Sequence, residues 1–298
     1  MFMFIYHKIL FICCFMFVML SSTVRPGIFK HITCRNDFYP RSKVKRFPVP
    51  DELVFWKTDY PDYDPPKYTS PGIKGQSYAD PDVKDASFHP VWNSLDRGVN
   101  RVSHVGDYSV VDGYPINPIG RTGIVGRGLL GRWGPNHAAD PVVTRWKRDD
   151  TGEFVLNSTT RKKILQMVTI QRHDNKKWAI PGGMVDPGEK VSTTLKREFM
   201  EEALNTFGGQ TVIEEFFSTG VEIYKGYVDD YRNTDNAWIE TVACNFHDET
   251  GDRVGKLKLE AGDDAAKVKW LDLNHEVDLH ANHAQIVEMA VKRLDAHW

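Results

Sequence analysis

Cysteine is scarce in this chain. Of 298 residues only four are Cys, and two of these, Cys13 and Cys14, sit side by side in an apolar stretch. A disulfide framework is excluded, and at most Cys34 and Cys244 remain to pair, provided the chain enters an oxidising compartment. A surplus of either charge is also lacking, since 38 basic side chains face 40 acidic ones for a net charge of −2. That balance argues against a protein held on nucleic acid by bulk positive charge. No internal repeat and no long low-complexity tract occurs, which excludes a solenoid and a disordered chain. Long apolar runs are confined to the start. Residues 1–20 hold 18 apolar side chains, broken by His7 and Lys8, and the uninterrupted part, 9–20, is 12 residues long.

Twelve residues are short for a membrane span, which needs about 20. They suit the apolar centre of a secretory signal, preceded by Lys8 and followed by Ser21 and Ser22. Counted from Met1, the stretch just reaches a span. Residues 1–22 therefore read as a signal peptide or a membrane anchor, placing the protein in the secretory pathway or on a membrane. The alternative is a mitochondrial presequence, which the lack of Arg-rich amphipathic character disfavours. In the secretory route Asn157-Ser158-Thr159 would be an acceptor for glycosylation.

What is present points to a globular chain: 41% hydrophobic residues are ample for a core. Twelve of the 16 prolines lie in residues 1–120 and none follows Pro187, so two kinds of architecture are expected. Residues 23–139 read as a smaller, Pro-rich, mainly β/loop domain with short strands at 53–56 and 108–111. Its basic stretch 41–46 reads as a solvated face. Residues 140–298 carry clear elements, with strands at 164–171, 178–180, 221–228, 237–246 and 267–273. Helices are expected over 190–204, where Val191, Leu195 and Phe199 form one apolar stripe, and over 283–294. Mixed strands with helices on separate faces give an α+β sandwich.

The chemistry concentrates in Gly182-Gly183-Met184-Val185-Asp186-Pro187-Gly188-Glu189 and Arg197-Glu198-Phe199-Met200-Glu201-Glu202. On an α-helix Glu198, Glu201 and Glu202 stand at i, i+3 and i+4, within a sector of roughly 100°. Three like charges on one face repel, and a divalent cation relieves them; all-oxygen ligands of this kind suit Mg²⁺ or Mn²⁺. Arg197 can grip a carboxylate with two parallel bonds. Gly182 and Gly183 allow the backbone to approach a ligand closely.

The spacing over 183–202, Gly then five residues to Glu189, seven to Arg197-Glu198-Phe199, one to Glu201-Glu202, is that of the Nudix box. The usual Gly and aliphatic residue at its end are replaced by Leu204 and Asn205, one turn beyond the carboxylates. The resemblance extends through 120–148, 178–205, 224–238, 260–265 and 295–298, which look like the mitochondrial type of animal ADP-ribose pyrophosphatase. The same domain occurs as the ADP-ribose-sensing tail of a melastatin-type cation channel, where the vertebrate Arg-Glu pair of the box is altered. Here Arg197 and Glu198 are intact and no channel precedes the domain, which favours hydrolysis.

The resemblance implies a Nudix fold, a mixed sheet sandwiched between helices, and Mg²⁺-dependent cleavage of ADP-ribose to AMP and ribose 5-phosphate. It implies metal ligation by Glu198, Glu201 and Glu202, with Glu198 taking the proton of the attacking water, Glu189 orienting the loop and Arg197 the carboxylates. Trp133 and Arg132 are candidates for stacking on adenine and pairing with phosphate. Asp229, Asp230 and Asp235, in a loop between two strands, are candidates for contacts to ribose hydroxyls or a further metal, and Arg232, Asn236, Gly182 and Gly183 are further candidates for binding substrate. The alternatives are an ADP-ribose sensor without turnover and a hydrolase of another nucleoside diphosphate derivative. Neither an obligate protein partner nor nucleic acid is implied, and the family suggests a monomer. The Gly-x-Gly-x-x-Gly pattern at 126–131 lacks the strand and helix of a dinucleotide site and reads as an ordered junction loop. Asp263 and Asp264 read as a turn. His280 and His283 read as helix-start or surface residues.

Overall fold

Consecutive residues of a strand face opposite ways, and Val142 and Val143 show how this builds two cores. Val142 packs with Trp146, Met167, Ile286 and Val287, whereas Val143 packs with Val168, Leu195, Phe199 and Phe216. The computed structural model describes residues 30–173, 176–204, 210–256, 258–260, 265–280 and 282–298. The expected signal or anchor segment 1–22 lies outside them, as do Asn205, Asp263 and Asp264. Among the described residues no helix is long and apolar enough to cross a membrane.

The central sheet is made of β1 (Gly134–Trp146), β2 (Leu165–Arg172), β3 (Trp178–Ala179), β4 (Gly183–Met184), β5 (Val221–Val228), β6 (Ala237–Asp248) and β7 (Ala265–Asp272). Its order is β5-β6-β1-β2-β7, with β4 added to β1 and β3 to β2. The sheet is mixed: β6 runs parallel to β1 from Ala237 opposite Gly134 to Asp248 opposite Arg145, and the other pairs are antiparallel. Helices α1 (Val191–Phe199) and α2 (Gln210–Phe217) cover one face, and α3 (His283–Arg293) covers the other. The α3 stripe of Ile286, Val287, Ala290 and Val291 is buried. Each of its larger aliphatic side chains contributes roughly 1.5–3 kcal/mol by burial. This is the α+β sandwich expected from the sequence.

The long strand β1 was not expected. Pro135 and Pro141 remove ladder donors and argue against a central strand. On its β4/β2 edge, however, β1 pairs only at Ala138–Ala139 and from Thr144 to Trp146. Pro141 falls in the gap between these two pairings. β1 also runs through position 139/140, the boundary expected between the two parts.

The residues before β1 form short pieces on the sheet's flank. Lys67–Thr69 pairs in parallel with Val125–Gly128, and two-residue hairpins join Leu95–Asp96 to Val99–Asn100 and Val110–Val111 to Tyr114–Pro115. A buried ion network fixes them. Asp80 accepts from both terminal nitrogens of Arg101 at 2.8 and 3.0 Å and from Arg132 at 2.8 Å, while Arg101 Nε reaches Asp96 at 3.0 Å. In the glycine-rich loop, a Cβ at Gly126 (φ 101°) would stand 2.3 Å from the Tyr68 carbonyl oxygen, so the pattern serves close backbone packing.

Several expectations are corrected. Residues 53–56 are not a strand: Leu53 ends a 3₁₀ turn whose N–H bonds to the Pro50 carbonyl at 2.9 Å. Arg46 is not solvated but buried, stacked on Tyr39 and bonded to the carbonyls of Thr122, Tyr231 and Asn233. The helix expected over 190–204 is α-helical only to Phe199 and continues as a π-helical turn, Met200–Leu204. Cys34 and Cys244 are both free thiols.

Candidate active site

The two glycines before the box loop are hemmed in by carboxylates. A Cβ on Gly183 would lie 2.5 Å from both oxygens of Glu198, and one on Gly182 would lie 2.4 Å from Asp140 Oδ1 and 2.8 Å from the Ala139 carbonyl oxygen. At Gly182 the Ala139 backbone leaves room only for hydrogen, whereas at Gly183 a Cβ would displace the Glu198 carboxylate. The following loop is anchored by Val185 N–H to the His137 carbonyl at 2.9 Å, Gly188 N–H to Gly98 at 2.9 Å and Glu189 N–H to Asp186 at 3.0 Å.

Arg197, in the last turn of α1, gathers the acidic side chains. Its Nε and Nη2 donate to the two oxygens of Glu189 at 3.1 Å each, and its Nη1 lies 2.9 Å from Glu198 Oε1 and 3.0 Å from Glu201 Oε2. Thr194 Oγ1 donates to Glu189 at 2.7 Å. These bonds, Arg197's first, hold the Glu189 carboxyl below its ordinary range. Glu198 behaves oppositely. Burial pushes its pKa up to about 7, against the pull of Arg197. Glu201 is largely exposed. Glu202 lies in the π-helical turn, with its side chain outside what is described.

Glu198 and Glu201 both reach the same nitrogen of Arg197, so their carboxylates converge on one small region. An oxygen-only donor set there, one member buried with an easily lost proton, fits a hard divalent ion such as Mg²⁺ or Mn²⁺. A single turn of π-helix, as found here, recurs at functional sites.

A cavity of about 420 Å³ opens over these residues, lined by Arg41, Arg172, Gly182, Gly183, Arg197 and Glu198 among others. Across Gly182–Met184 a second, smaller cavity is lined by Asp140, Arg172, Asp230, Arg232, His280 and His283. A third, of about 320 Å³, lies between the N-terminal part and the box loop and is lined by Arg132, His137, Asp186 and Arg232.

The candidate substrate residues divide on this geometry. Arg132, Gly182, Gly183, Asp230 and Arg232 line cavities; Arg232 grips Asp230 at 2.8 and 2.9 Å. Trp133 does not offer a stacking face: it is fully buried, Arg127 and Tyr114 pack on its ring, and its Nε1 donates to the Pro81 carbonyl. Asp229 instead accepts from the backbone N–H groups of Ile32, Thr33 and Cys34 at 2.6–3.1 Å. Asp235 accepts from Tyr63 and Thr122, and Asn236 bridges Gly126 and Pro115. These four hold the N-terminal segments to the sheet. Asp235 keeps its proton to about pH 6 because it is buried.

Sequence reasoning missed Arg41, Asp140 and Arg172; of the two histidines, His283 begins α3 as expected, while His280 is not on the surface. His280 is buried, and His283 Nδ1 accepts from Ile180 N–H at 3.0 Å. Their rings meet edge to face with centroids 5.6 Å apart. Burial first, then neighbouring positive charge, lowers both to about 4, so they are neutral at physiological pH. The His-x-x-His spacing was the available signal.

Comparison with known proteins agrees with the geometry. The pattern of the NUDIX domain matches residues 146–290, and that of the NUDT9-like N-terminal domain matches residues 49–134. The chain is 52% identical over 278 residues to "ADP-ribose pyrophosphatase, mitochondrial" of Rattus norvegicus, covering 90% of this chain and 79% of that protein. It is 50% identical over 279 residues to "Transient receptor potential cation channel subfamily M member-like 2" of Nematostella vectensis. It is 37% identical over 286 residues to "Transient receptor potential cation channel subfamily M member 2" of Mus musculus. These matches cover 89% and 92% of this chain but only 18% of either channel.

Proposed function

The chain belongs to the NUDIX family, and from that premise we propose that it is an ADP-ribose diphosphatase, cleaving the diphosphate of ADP-ribose to AMP and ribose 5-phosphate. The observation that carries this reading is the single guanidinium of Arg197 in contact with Glu189, Glu198 and Glu201 at once. That arrangement organises carboxylates for phosphoryl chemistry, and the 52%-identical rat relative carries the name of this activity.

Glu198, Glu201 and Glu202 would hold Mg²⁺, with Mn²⁺ as a substitute, and the bound ion would supply charge neutralisation for the diphosphate and a more acidic water. The protein's own groups do the rest. Glu198, whose proton affinity sits near neutrality, accepts the proton of the attacking water at a carboxylate oxygen. Arg197 keeps that carboxylate aimed, and Glu189 keeps Arg197 in place. Gly182 and Gly183 leave room for the diphosphate, with Arg41 and Arg172 beside it in the same cavity. Arg132, Asp230 and Arg232 contact the nucleoside and ribose ends. Residues 140–298 form the catalytic unit and residues 23–139 close over the nucleotide, in a monomer. Of the two addresses left open by residues 1–22, the rat relative's name favours the mitochondrion.

The test is AMP release from ADP-ribose with Mg²⁺ by the purified chain, with a panel of NADH, sugar nucleotides and diadenosine polyphosphates beside it. Glu198→Gln is expected to reduce turnover by orders of magnitude. Binding of ADP-ribose without AMP release, or undiminished hydrolysis in the Glu198→Gln/Glu202→Gln double variant, refutes the assignment.

A further inference from the structure

A second group of metal-ligating side chains stands apart from the box carboxylates. His137 on β1 and Glu240 on β6 are direct partners across the parallel pairing, so their side chains share one face of the sheet. His104, from the N-terminal part, folds over them. The ligand atoms of the three residues all lie within 4.8 Å of one another. His104 Nε2 is 3.1 Å from His137 Nδ1, with the rings edge to face and centroids 4.5 Å apart.

A hydrogen bond between two neutral imidazoles accounts for that one distance but not for the surroundings. Glu240 is fully buried, and a buried carboxylate is costly without compensation. Three donors fix it: Ser103 Oγ at 2.6 Å and Trp238 Nε1 at 2.7 Å on Oε1, and the His104 N–H at 2.5 Å on Oε2. A carboxylate offers about four acceptor positions, so one remains on Oε2. Outer donors that orient a carboxylate in this way are the usual support of a metal ligand. His137 Nε2 is buried, and the Val102 carbonyl favours a proton on the ring. Burial keeps both rings neutral, His104 down to about 3 and His137 to about 4, with Lys225 acting in the same direction on each. Their lone pairs are thus available; burial raises the pKa of the Glu240 carboxyl against its three donors, and a cation bound beside it would favour the ionised form.

We propose that His104, His137 and Glu240 form a binding site for a transition-metal ion of the Zn²⁺ class, distinct from the Mg²⁺ carboxylates. Two imidazoles and one carboxylate suit Zn²⁺ and are a poor match for Mg²⁺, and three protein ligands leave a position for water. Cavities lined by His137 adjoin the group. An ion bound here ties the N-terminal part to two strands of the sheet. It also braces the box loop, because the His137 carbonyl holds Val185 N–H. This site does not depend on the identity of the substrate.

The experiment uses the full chain, stripped with a chelator and held in excess Mg²⁺, then titrated with Zn²⁺ by calorimetry and followed by thermal unfolding. The wild-type chain is expected to bind one Zn²⁺ and to unfold at a higher temperature when it does. His104→Ala and His137→Ala each weaken binding by about 100-fold or more, since even outer-shell changes cost 10–100-fold, while Glu201→Gln binds as the wild type does. Co²⁺ in place of Zn²⁺ should show the intense visible absorption of a low-coordinate nitrogen site. If His137→Ala fails to fold, His104→Ala decides alone, its fold being checked by circular dichroism. No Zn²⁺ binding in excess Mg²⁺, or binding lost in Glu201→Gln and kept in His104→Ala, overturns the proposal.

Discussion

Arg197 holds Glu189 in a two-pronged grip, Nε on one carboxylate oxygen and Nη2 on the other, both at 3.1 Å. Lysine keeps the charge but cannot make two parallel bonds while also reaching Glu198 and Glu201. Arg197→Lys is therefore expected to lower kcat for ADP-ribose by about 10–100-fold, the usual effect of losing a supporting contact. Thermal unfolding should change little, because the side chain is partly solvated. Wild-type kcat in this variant would show that the grip does not organise the site.

The two glycines separate activity from stability. At Gly183 an added Cβ meets the end of the Glu198 side chain, at 2.5 Å, which can swing aside. Gly183→Ala should fold with near wild-type stability while hydrolysis falls sharply. At Gly182 the Cβ meets the Ala139 backbone oxygen at 2.8 Å as well as Asp140, and the backbone cannot yield cheaply. Gly182→Ala should cost about 1–3 kcal/mol of unfolding free energy, as overpacking does. Chemical denaturation and kinetics on both variants give the answer, and equal stability losses would contradict it.

Asp140 sets a pH dependence. Burial raises its pKa from 3.8 to about 6, against the Thr241 hydroxyl that donates to it at 2.6 Å. The folded chain therefore binds this proton more tightly than the unfolded one, so the group's contribution to stability falls as pH rises from 3.8 to about 6. Above that range the ionised carboxylate costs on the order of 3 kcal/mol. Asp140→Asn keeps an acceptor for Thr241 and loses the titration. Relative to wild type it should gain about 1–3 kcal/mol between roughly pH 4 and pH 7. A difference that stays flat across this range would rule out a buried, titrating Asp140.

The Asp80 network should be the weak point of the N-terminal part. Asp80→Ala leaves buried Arg101 with Asp96 and, at 3.5 Å, the Trp133 carbonyl, and removes the carboxylate that Arg132 reaches. Removing one partner of a buried pair costs about 3–5 kcal/mol. Denaturant unfolding should show a loss of that size, and a loss below about 1 kcal/mol, the worth of a surface pair, would contradict the buried reading.

The Nudix box was legible because its information is local. A diglycine, a loop acid and a helix with Arg197, Glu198 and Glu201 at set intervals all fall within 20 positions, and helical geometry turns those intervals into one face. Amphipathic stripes gave α3 and the apolar runs gave β2 and β5 for the same reason. The strand β1 was hidden by its prolines, which read as breaks until pairing places them where a ladder is already interrupted. The loop at 229–236 looked like a ligand loop, yet Asp229, Asp235 and Asn236 bond to segments more than a hundred residues away.

By itself the sequence determined the family, since the box rests on spacing within one short stretch, and it marked out the carboxylates and the two-part layout that are proposed here. Only the tertiary structure decided that His280 and His283 border a cavity, that Trp133 is enclosed, and that His104, His137 and Glu240 meet. Those facts depend on which strands lie side by side and in what register, as where β6 runs beside β1. Register comes from the packing of two whole faces, which no short stretch of residues encodes.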